Sequence, residues 1–293
     1  MKSRHLARDG LVEVREYRCD AKVGERPQPE QFGRASIAIV LSGVFGIRSG
    51  RCARMLAPGF LLLGNAGQTY EASHEHSAGD SCLVFHFQRT ALEEMTELTR
   101  RGAGRHPFAV NVLPPIPRAD IWRRVAEERL ADGAPLGLEQ VGFALAACAL
   151  REAGSGSPRP SARDDVRARR RMLAAVAEIE LRFGEALGLA ELARAAGLGP
   201  FSFLRLFKRE TGLTPYRFLL RARIRRAIAL LRDTSRPVTD IAFEVGFGDL
   251  SNFINAFRRE IGCSPLQFRK HGVPPLTIGL SFASERSRSF DRG

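Results

Sequence analysis

One pattern occurs twice between Leu189 and Phe268, and that duplication constrains the chain more than any other feature. The first copy, Leu189 to Phe218, reads L-A-E-L-A-R-A-A-G-L-G-P-F-S-F-L-R-L-F-K-R-E-T-G-L-T-P-Y-R-F. The second, Val238 to Phe268, reads V-T-D-I-A-F-E-V-G-F-G-D-L-S-N-F-I-N-A-F-R-R-E-I-G-C-S-P-L-Q-F. Two copies are too few for a solenoid, so a pair of similar modules is the reading. Each copy opens on a short apolar-periodic helix: Leu189, Leu192, Ala193 and Ala196, then Val238, Ile241, Ala242 and Val245. A Gly-x-Gly break follows (Gly197 and Gly199, Gly246 and Gly248), where glycine can take the positive φ of a sharp turn. A second helix is predicted from Pro200 to Thr211 and from Asp249 to Ile261, with Pro200 at a first helical position and Asp249 as an N-cap. Helix, short glycine turn, helix is the helix-turn-helix unit, whose second helix enters the DNA major groove.

The faces of those second helices decide whether DNA is a plausible partner. Phe203, Leu206 and Phe207, and Phe253, Ala256 and Phe257, form the apolar sides. That leaves Phe201, Ser202, Leu204 and Arg205 outward in the first copy, and Leu250, Ser251, Ile254 and Asn255 in the second. Arginine bonds guanine and asparagine adenine in bidentate fashion, and apolar groups touch thymine methyls. Behind them stand Lys208 and Arg209, and Arg258 and Arg259, which suit phosphates. Between the copies, Leu220, Ile224, Ala227 and Leu231 form the apolar stripe of a joining helix, with Arg217, Arg221 and Arg225 along another side. Thr214-Pro215 and Ser264-Pro265 are cap and first-turn pairs for this helix and the last one. A stiff joiner would hold both recognition helices about one DNA turn apart, roughly 34 Å.

At G-L-G-P-F-S-F-L-R-L-F-K-R-E-T-G-L-T-P and I-A-F-E-V-G-F-G-D-L-S-N-F-I-N-A-F-R-R-E-I-G-C-S-P the chain resembles the DNA-binding domain of the AraC/XylS family of bacterial transcription regulators. The resemblance covers Met172 to Lys270. It implies seven helices, two helix-turn-helix units and a rigid helix joining them. It also implies contact with RNA polymerase, a role as activator more often than repressor, and a front domain resembling a cupin that binds a small effector. Leu204 and Ile254 stand where such proteins often carry a small polar residue, and Asn255 where arginine is common, so the bases read do not follow from the resemblance.

Charge agrees with this division. Residues 1–150 hold 19 Lys/Arg against 17 Asp/Glu, a net of +2, and residues 151–293 hold 26 against 15, a net of +11. Nearly all of the +13 thus sits with the repeats, as a polyanion-binding module requires. Five widely spaced cysteines without a C-x-x-C point to neither a disulfide framework nor a zinc finger. The start, M-K-S-R-H-L-A-R-D-G, lacks a signal-peptide core, and the longest apolar runs fall short of a membrane span, so the cytoplasm is the expected location.

The front half alternates apolar runs with glycine punctuation. Strands are predicted at Ser36–Val44, Cys52–Leu56, Phe60–Leu63, Thr69–Ser73 and Ser81–Phe87, which points to a small sandwich or barrel of the cupin kind. The expected fold class is therefore α+β: a cupin-like β-barrel with helices over 1–153, a flexible linker at 154–165, an all-α double helix-turn-helix domain over 166–272, and a disordered Ser/Arg-rich tail at 273–293. Helices are also predicted at Leu92–Arg100, Ala119–Ala131 and Leu136–Ala153. The last carries Leu138, Val141, Leu145, Cys148 and Ala149 on one side, to pack on the barrel or pair two copies into a homodimer.

Tyr70, His74, His76, Phe85 and His86 are candidate effector-lining residues. Gly67, His74, His76 and Asp80 partly resemble the first metal motif of cupins, but the glycine is one residue too far, aspartate replaces glutamate and no later glycine follows. No metal or other cofactor is assigned on that basis. Two rival readings are a cupin enzyme fused to a DNA-binding module, and an oxidation sensor using Cys19, Cys52 or Cys82. No Ser-His-Asp or paired-carboxylate arrangement can be picked out, so the chain reads as a regulator and not an enzyme.

Overall fold

The computed structural model describes residues 2–50, 52–74, 78–89, 108, 111–133, 137–153 and 166–272. The helix expected at Leu92–Arg100, the linker at 154–165, the tail at 273–293, His76 and the side chain of Cys52 lie outside the described residues.

The front half begins with a hairpin rich in charge, β1 (Lys2–Asp9) and β2 (Val12–Cys19), followed by β3 (Pro29–Gln31), β4 (Ser36–Gly43), β5 (Phe45–Ser49), β6 (Cys52–Leu56), β7 (Leu61–Gly64), β8 (Thr69–Ser73), β9 (Asp80–Phe87) and β10 (Val112–Leu113). They form a six-stranded sheet of order β1-β2-β9-β4-β7-β10 and a four-stranded sheet of order β3-β8-β5-β6. Among the described residues both sheets are open at their edges, so the architecture is a β-sandwich and not the closed barrel expected. Alternation explains how one sheet serves two cores, because successive side chains point to opposite faces. Val12, Val14, Ile37, Ile39, Leu83, Phe85 and Phe87 meet helices on one side. Ala38, Val40, Cys82 and Val84 face the four-stranded sheet on the other.

Two helices cover the first face, α1 (Pro117–Ala131) and α2 (Leu138–Ala153). The α2 stripe of Leu138, Val141, Leu145, Cys148 and Ala149 is buried within the chain, so it packs on the sandwich as one of the two expectations held. It is covered in the single chain and leaves no bare apolar seam for a second copy.

Among the described residues the back half is seven helices: α3 (Val166–Leu181), α4 (Leu189–Ala195), α5 (Pro200–Thr211), α6 (Pro215–Asp233), α7 (Val238–Glu244), α8 (Leu250–Ile261) and α9 (Pro265–His271). The duplicated sequence gives duplicated lengths, seven and twelve residues in each unit. In each turn only the first glycine is left-handed, Gly197 at φ 65° and Gly246 at φ 90°. Gly199 instead caps α5 in extended backbone, at φ −70°. The turns close alike: Leu198 N bonds Ala193 O at 2.9 Å, and Phe247 N bonds Ala242 O at 3.0 Å. Asp249 accepts from Asn252 N at 2.8 Å, Thr214 accepts from Arg217 N, and Ser264 with Gln267 forms a full capping box. The 19-residue α6 is the rod, about 28 Å long at 1.5 Å per residue.

The halves share a core. Phe60 of the sandwich meets Phe218 of the rod at 6.1 Å between ring centroids, and α1 packs against α6 and α8. Ile121 of α1 joins the cluster that holds Phe253, Phe257 and Phe268.

Candidate nucleic-acid interface

Each second helix of a unit is strongly two-sided. On α5, Phe203 and Phe207 are fully buried, packed on each other at 5.5 Å, with Phe207 edge-on to Phe218 at 5.6 Å. On α8, Phe253 and Phe257 repeat the arrangement at 5.8 Å, with Phe257 against Phe268 at 5.6 Å. These rings orient each helix on the rod and decide which residues are left outside.

At the N-terminal end of α5, Phe201 is 89% exposed, Ser202 and Arg205 are exposed, and Leu204 is half-buried. At the same end of α8, Ser251 and Asn255 are exposed, while Leu250 and Ile254 are half-buried. An exposed phenylalanine at the tip of a helix gains nothing from folding alone and suits an apolar contact made elsewhere. Lys208, Arg258 and Arg259 are exposed behind these residues. Arg209 departs from the pattern: it is half-buried and donates to Glu210 at 2.8 Å, while its carbonyl accepts from the Arg54 guanidinium of β6. Its neighbour in sequence is therefore the better-placed of the first basic pair.

Sequence reasoning missed two residues that flank the second head. Tyr216 is 72% exposed at the start of the rod, and Arg223 lies 5.8 Å from the Phe247 ring centroid. Together with Asn252, Asn255 and Arg259 they line a concavity of about 330 Å³ between α6 and α8. Arg223 donates to the carbonyls of Phe183 and Glu185, both at 2.8 Å. Neither follows a helical pattern that differs from an ordinary solvated arginine or tyrosine, so periodicity could not single them out.

The rod's arginines separate sharply. Arg217 is exposed, whereas Arg221 is 4% exposed and makes three bonds: to Pro115 O at 3.2 Å, Glu152 at 2.9 Å and Glu260 at 3.2 Å. One residue of the arginine side of the joining helix is thus an ionic hub between the two halves.

The candidate effector residues do not converge on one face. Phe85 is fully buried on the helix-packed side of β9, whereas His86, next along the strand, points to the other side. His86 Nε2 lies 3.1 Å from the Tyr17 hydroxyl, and burial pushes its imidazole down to about 4. Tyr70 donates to Glu30 at 2.6 Å and stacks on Phe32 at 4.3 Å; burial, then Glu30, push its phenol far above the usual range. Tyr17 and Glu30 were missed because they sit in strands whose charge hid them. His74 is 5% exposed and paired with Asp80 at 2.7 Å. A separate cavity of about 810 Å³ lies where the halves meet, walled by Val40 and Pro58 of the sandwich, Val176 of α3, and Ala222 and Arg226 of the rod.

As for oxidation sensing, burial raises the thiols of Cys19 and Cys82, the latter strongly and with Asp80 adding to it. Both are held away from the reactive thiolate. No helix among the described residues is long and apolar enough to cross a membrane.

Comparison with known proteins falls on the back half. A family model described as a helix-turn-helix domain matches residues 192–271. The HTH-type transcriptional activators RhaS of Klebsiella pneumoniae (strain 342) and of Enterobacter sp. (strain 638) are each 41% identical over 95 residues, 32% of this chain and 34% of theirs. The match thus spans about a third of the length of these relatives. Among solved structures, the C-terminal domain of the two-component response regulator yesN from Fusobacterium nucleatum is 28% identical, covering 33% of this chain and 95% of that one, with a TM-score of 0.32. With twin units, a joining rod and a matching family model, residues 192–271 of this chain form a helix-turn-helix domain, similar over 95 residues to the RhaS activators.

Proposed function

We propose that the chain is a one-component transcription regulator that binds promoter DNA through both recognition helices and answers to a small effector at its front domain. The observation that carries this is a pair of matched N-terminal helix faces held by one rod, with Phe201, Ser202 and Arg205 exposed and Leu204 half-buried on α5, and Ser251 and Asn255 exposed and Leu250 and Ile254 half-buried on α8. Arg205 and Asn255 would read base edges, the apolar residues thymine methyls, and Lys208, Arg258 and Arg259 phosphates. Residues 166–272 are then the DNA-binding domain and 1–153 the sensing domain, an open sandwich in the place of the cupin-like barrel.

The names of the relatives favour an activator, and the family resemblance implies contact with RNA polymerase at the promoter. An effector would be held either by the Tyr17, Glu30, Tyr70 and His86 interior or in the cavity between the halves. In either place, differential affinity for one docking of the halves shifts the DNA-competent population. Pairing of two copies would use a surface other than the covered stripe of α2.

Footprinting across the DNA around its own gene tests the reading. Protection should appear in two successive major grooves, about 10 base pairs apart. Protection of a single groove, or none above that on random DNA at the same salt, overturns it.

A further inference from the structure

Sheet register brings together three side chains that are far apart in the sequence. Cys19 ends β2 directly opposite Asp80, which begins β9. His74 follows β8, a strand of the other sheet. One ligand atom from each of Cys19, His74 and Asp80 lies within 4.8 Å of the other two. His74 Nε2 is 2.7 Å from Asp80 Oδ2, and Cys82 Sγ donates to Asp80 Oδ1 at 3.6 Å, so a second thiol stands beside the cluster.

The backbone around these groups is closed too tightly to be incidental to their positions. A Cβ on Gly79 would fall 2.5 Å from Cys19 O, and one on Gly43 would fall 2.4 Å from Gly79 O. Gly79 N bonds Ala21 O at 3.0 Å and Gly24 N bonds His74 O at 2.9 Å, which fixes the segments carrying Cys19 and His74. The His74 ring lies against Phe45, 5.8 Å between centroids.

We propose that Cys19, His74 and Asp80 form a binding site for a divalent transition-metal ion of zinc's class, joining the two sheets at one end of the sandwich. The donor set decides the class. Thiolate, imidazole and carboxylate are zinc's ligands, whereas a calcium or magnesium site is built from oxygen alone. Around a tetrahedral zinc ion, ligand atoms stand about 3.3–3.8 Å apart. To reach that spacing the Nε2–Oδ2 pair at 2.7 Å opens by about 0.6 Å, and a separation of up to 4.8 Å closes by up to about 1.0–1.5 Å. Thiolate and carboxylate together neutralise the ion's two charges, and binding releases the Cys19 proton to solvent. Cys19 is half-buried, which leaves water an approach to the fourth position. The simpler alternative is a His74–Asp80 pair with a bystander thiol. That pair accounts for two of the three groups and gives no reason for the register that adds the third. The cluster differs from the cupin motif sought in the sequence, since its soft ligand comes from β2.

The test uses the full chain, stripped of metal with a chelator and titrated with Co²⁺. Tetrahedral ligand-field bands in the visible and a thiolate-to-metal band in the near ultraviolet should saturate at one equivalent and vanish on adding Zn²⁺. Cys19→Ser should abolish the near-ultraviolet band and weaken binding about tenfold or more, and Asp80→Asn should weaken it comparably. Cys148→Ser, a buried thiol on α2, should change neither. Far-ultraviolet circular dichroism of the metal-free variants separates lost binding from lost folding. Absence of saturable bands in the wild-type chain overturns the site, as does a Cys19→Ser chain that folds and binds Co²⁺ with the wild-type spectrum.

Discussion

Replacing Arg221 by methionine should be among the most damaging single changes on the rod, though helical spacing places it off the apolar stripe. The guanidinium is 4% exposed and serves Pro115 O, Glu152 and Glu260 at once. Glu260 is itself 7% exposed, and its other cation, Arg217, stands at 3.8 Å with half its side chain in water. Methionine fills most of the volume but leaves Glu260 as a buried anion with one distant partner, and Pro115 O without its donor. Breaking a buried pair from one side costs about 3–5 kcal/mol. Glu152, at 18% exposed, can turn to water and soften part of that, so about 3–4 kcal/mol is the expectation. Calorimetry should then show the midpoint of the back half falling by the order of 10 °C. The decisive measurement is the double variant Arg221→Met with Glu260→Gln. If the loss comes from a stranded charge, removing that charge should restore at least half of it. A single-variant loss under about 1 kcal/mol, or a double variant whose losses simply add, would refute the reasoning.

Four further outcomes follow from the geometry. Arg205→Ala should weaken specific promoter binding by about 1–3 kcal/mol and relax choice at one base position, whereas equal loss on random DNA would mark a phosphate contact. Lys208→Ala should weaken all sequences alike and lower the salt slope by about one ion in binding isotherms; an unchanged slope removes that role. Gly246→Ala should cost about 2–3 kcal/mol in denaturant titrations, because φ is 90° and the new Cβ would lie 2.7 Å from Gly184 O. Gly197→Ala, at φ 65° with nothing within 4 Å, should cost only about 1 kcal/mol, so equal losses would discount the close approach. His86 is held down to about 4 chiefly by burial, so the unfolded chain binds more protons between there and 6.5. Its contribution to stability is full above pH 6.5 and is lost as pH falls through 4. His86→Gln should flatten the stability profile across that window, and parallel profiles would show that His86 does not shape it.

The back half was legible because duplication gives each local signal a second reading. Gly197 and Gly246, Asp249 as a cap, and the phenylalanine faces of both second helices stand where period and capping placed them. Among the front-half strands, Ser36–Gly43, Leu61–Gly64 and Asp80–Phe87 emerged for the simpler reason that they bury apolar runs. The hairpin β1–β2 did not, because K-S-R-H-L-A-R-D and V-E-V-R-E-Y-R-C each carry four charged residues among eight. On β1, at the sheet's edge, such charge keeps the strand from pairing with other chains, and on β2 it masks the alternation of Val12 and Val14. The rod shows a different limit. Arg217, Arg221 and Arg225 share one stripe by period, yet the first is exposed and the second buried, since the second alone meets Glu152 and Pro115 from the front half. Helical spacing fixes direction, and what lies in that direction is set by the other half of the chain.

That last point bears on how the front half can govern the heads. Arg54 of β6 donates to the carbonyl of Arg209, in the last turn of α5. Arg221, bound to Glu152 and Pro115 of the front half, holds Glu260, in the last turn of α8. The second helix of each unit is therefore gripped near its C-terminal end, one directly and one through the rod, while the N-terminal ends stay outside. A cation suits the first place, because the last carbonyls of a helix carry partial negative charge. Holding a helix at one end leaves its reading end in solvent yet ties its direction to the sandwich. A small shift between the halves would then turn into a change in how the two heads are aimed, with no residue of the front half needing to touch DNA.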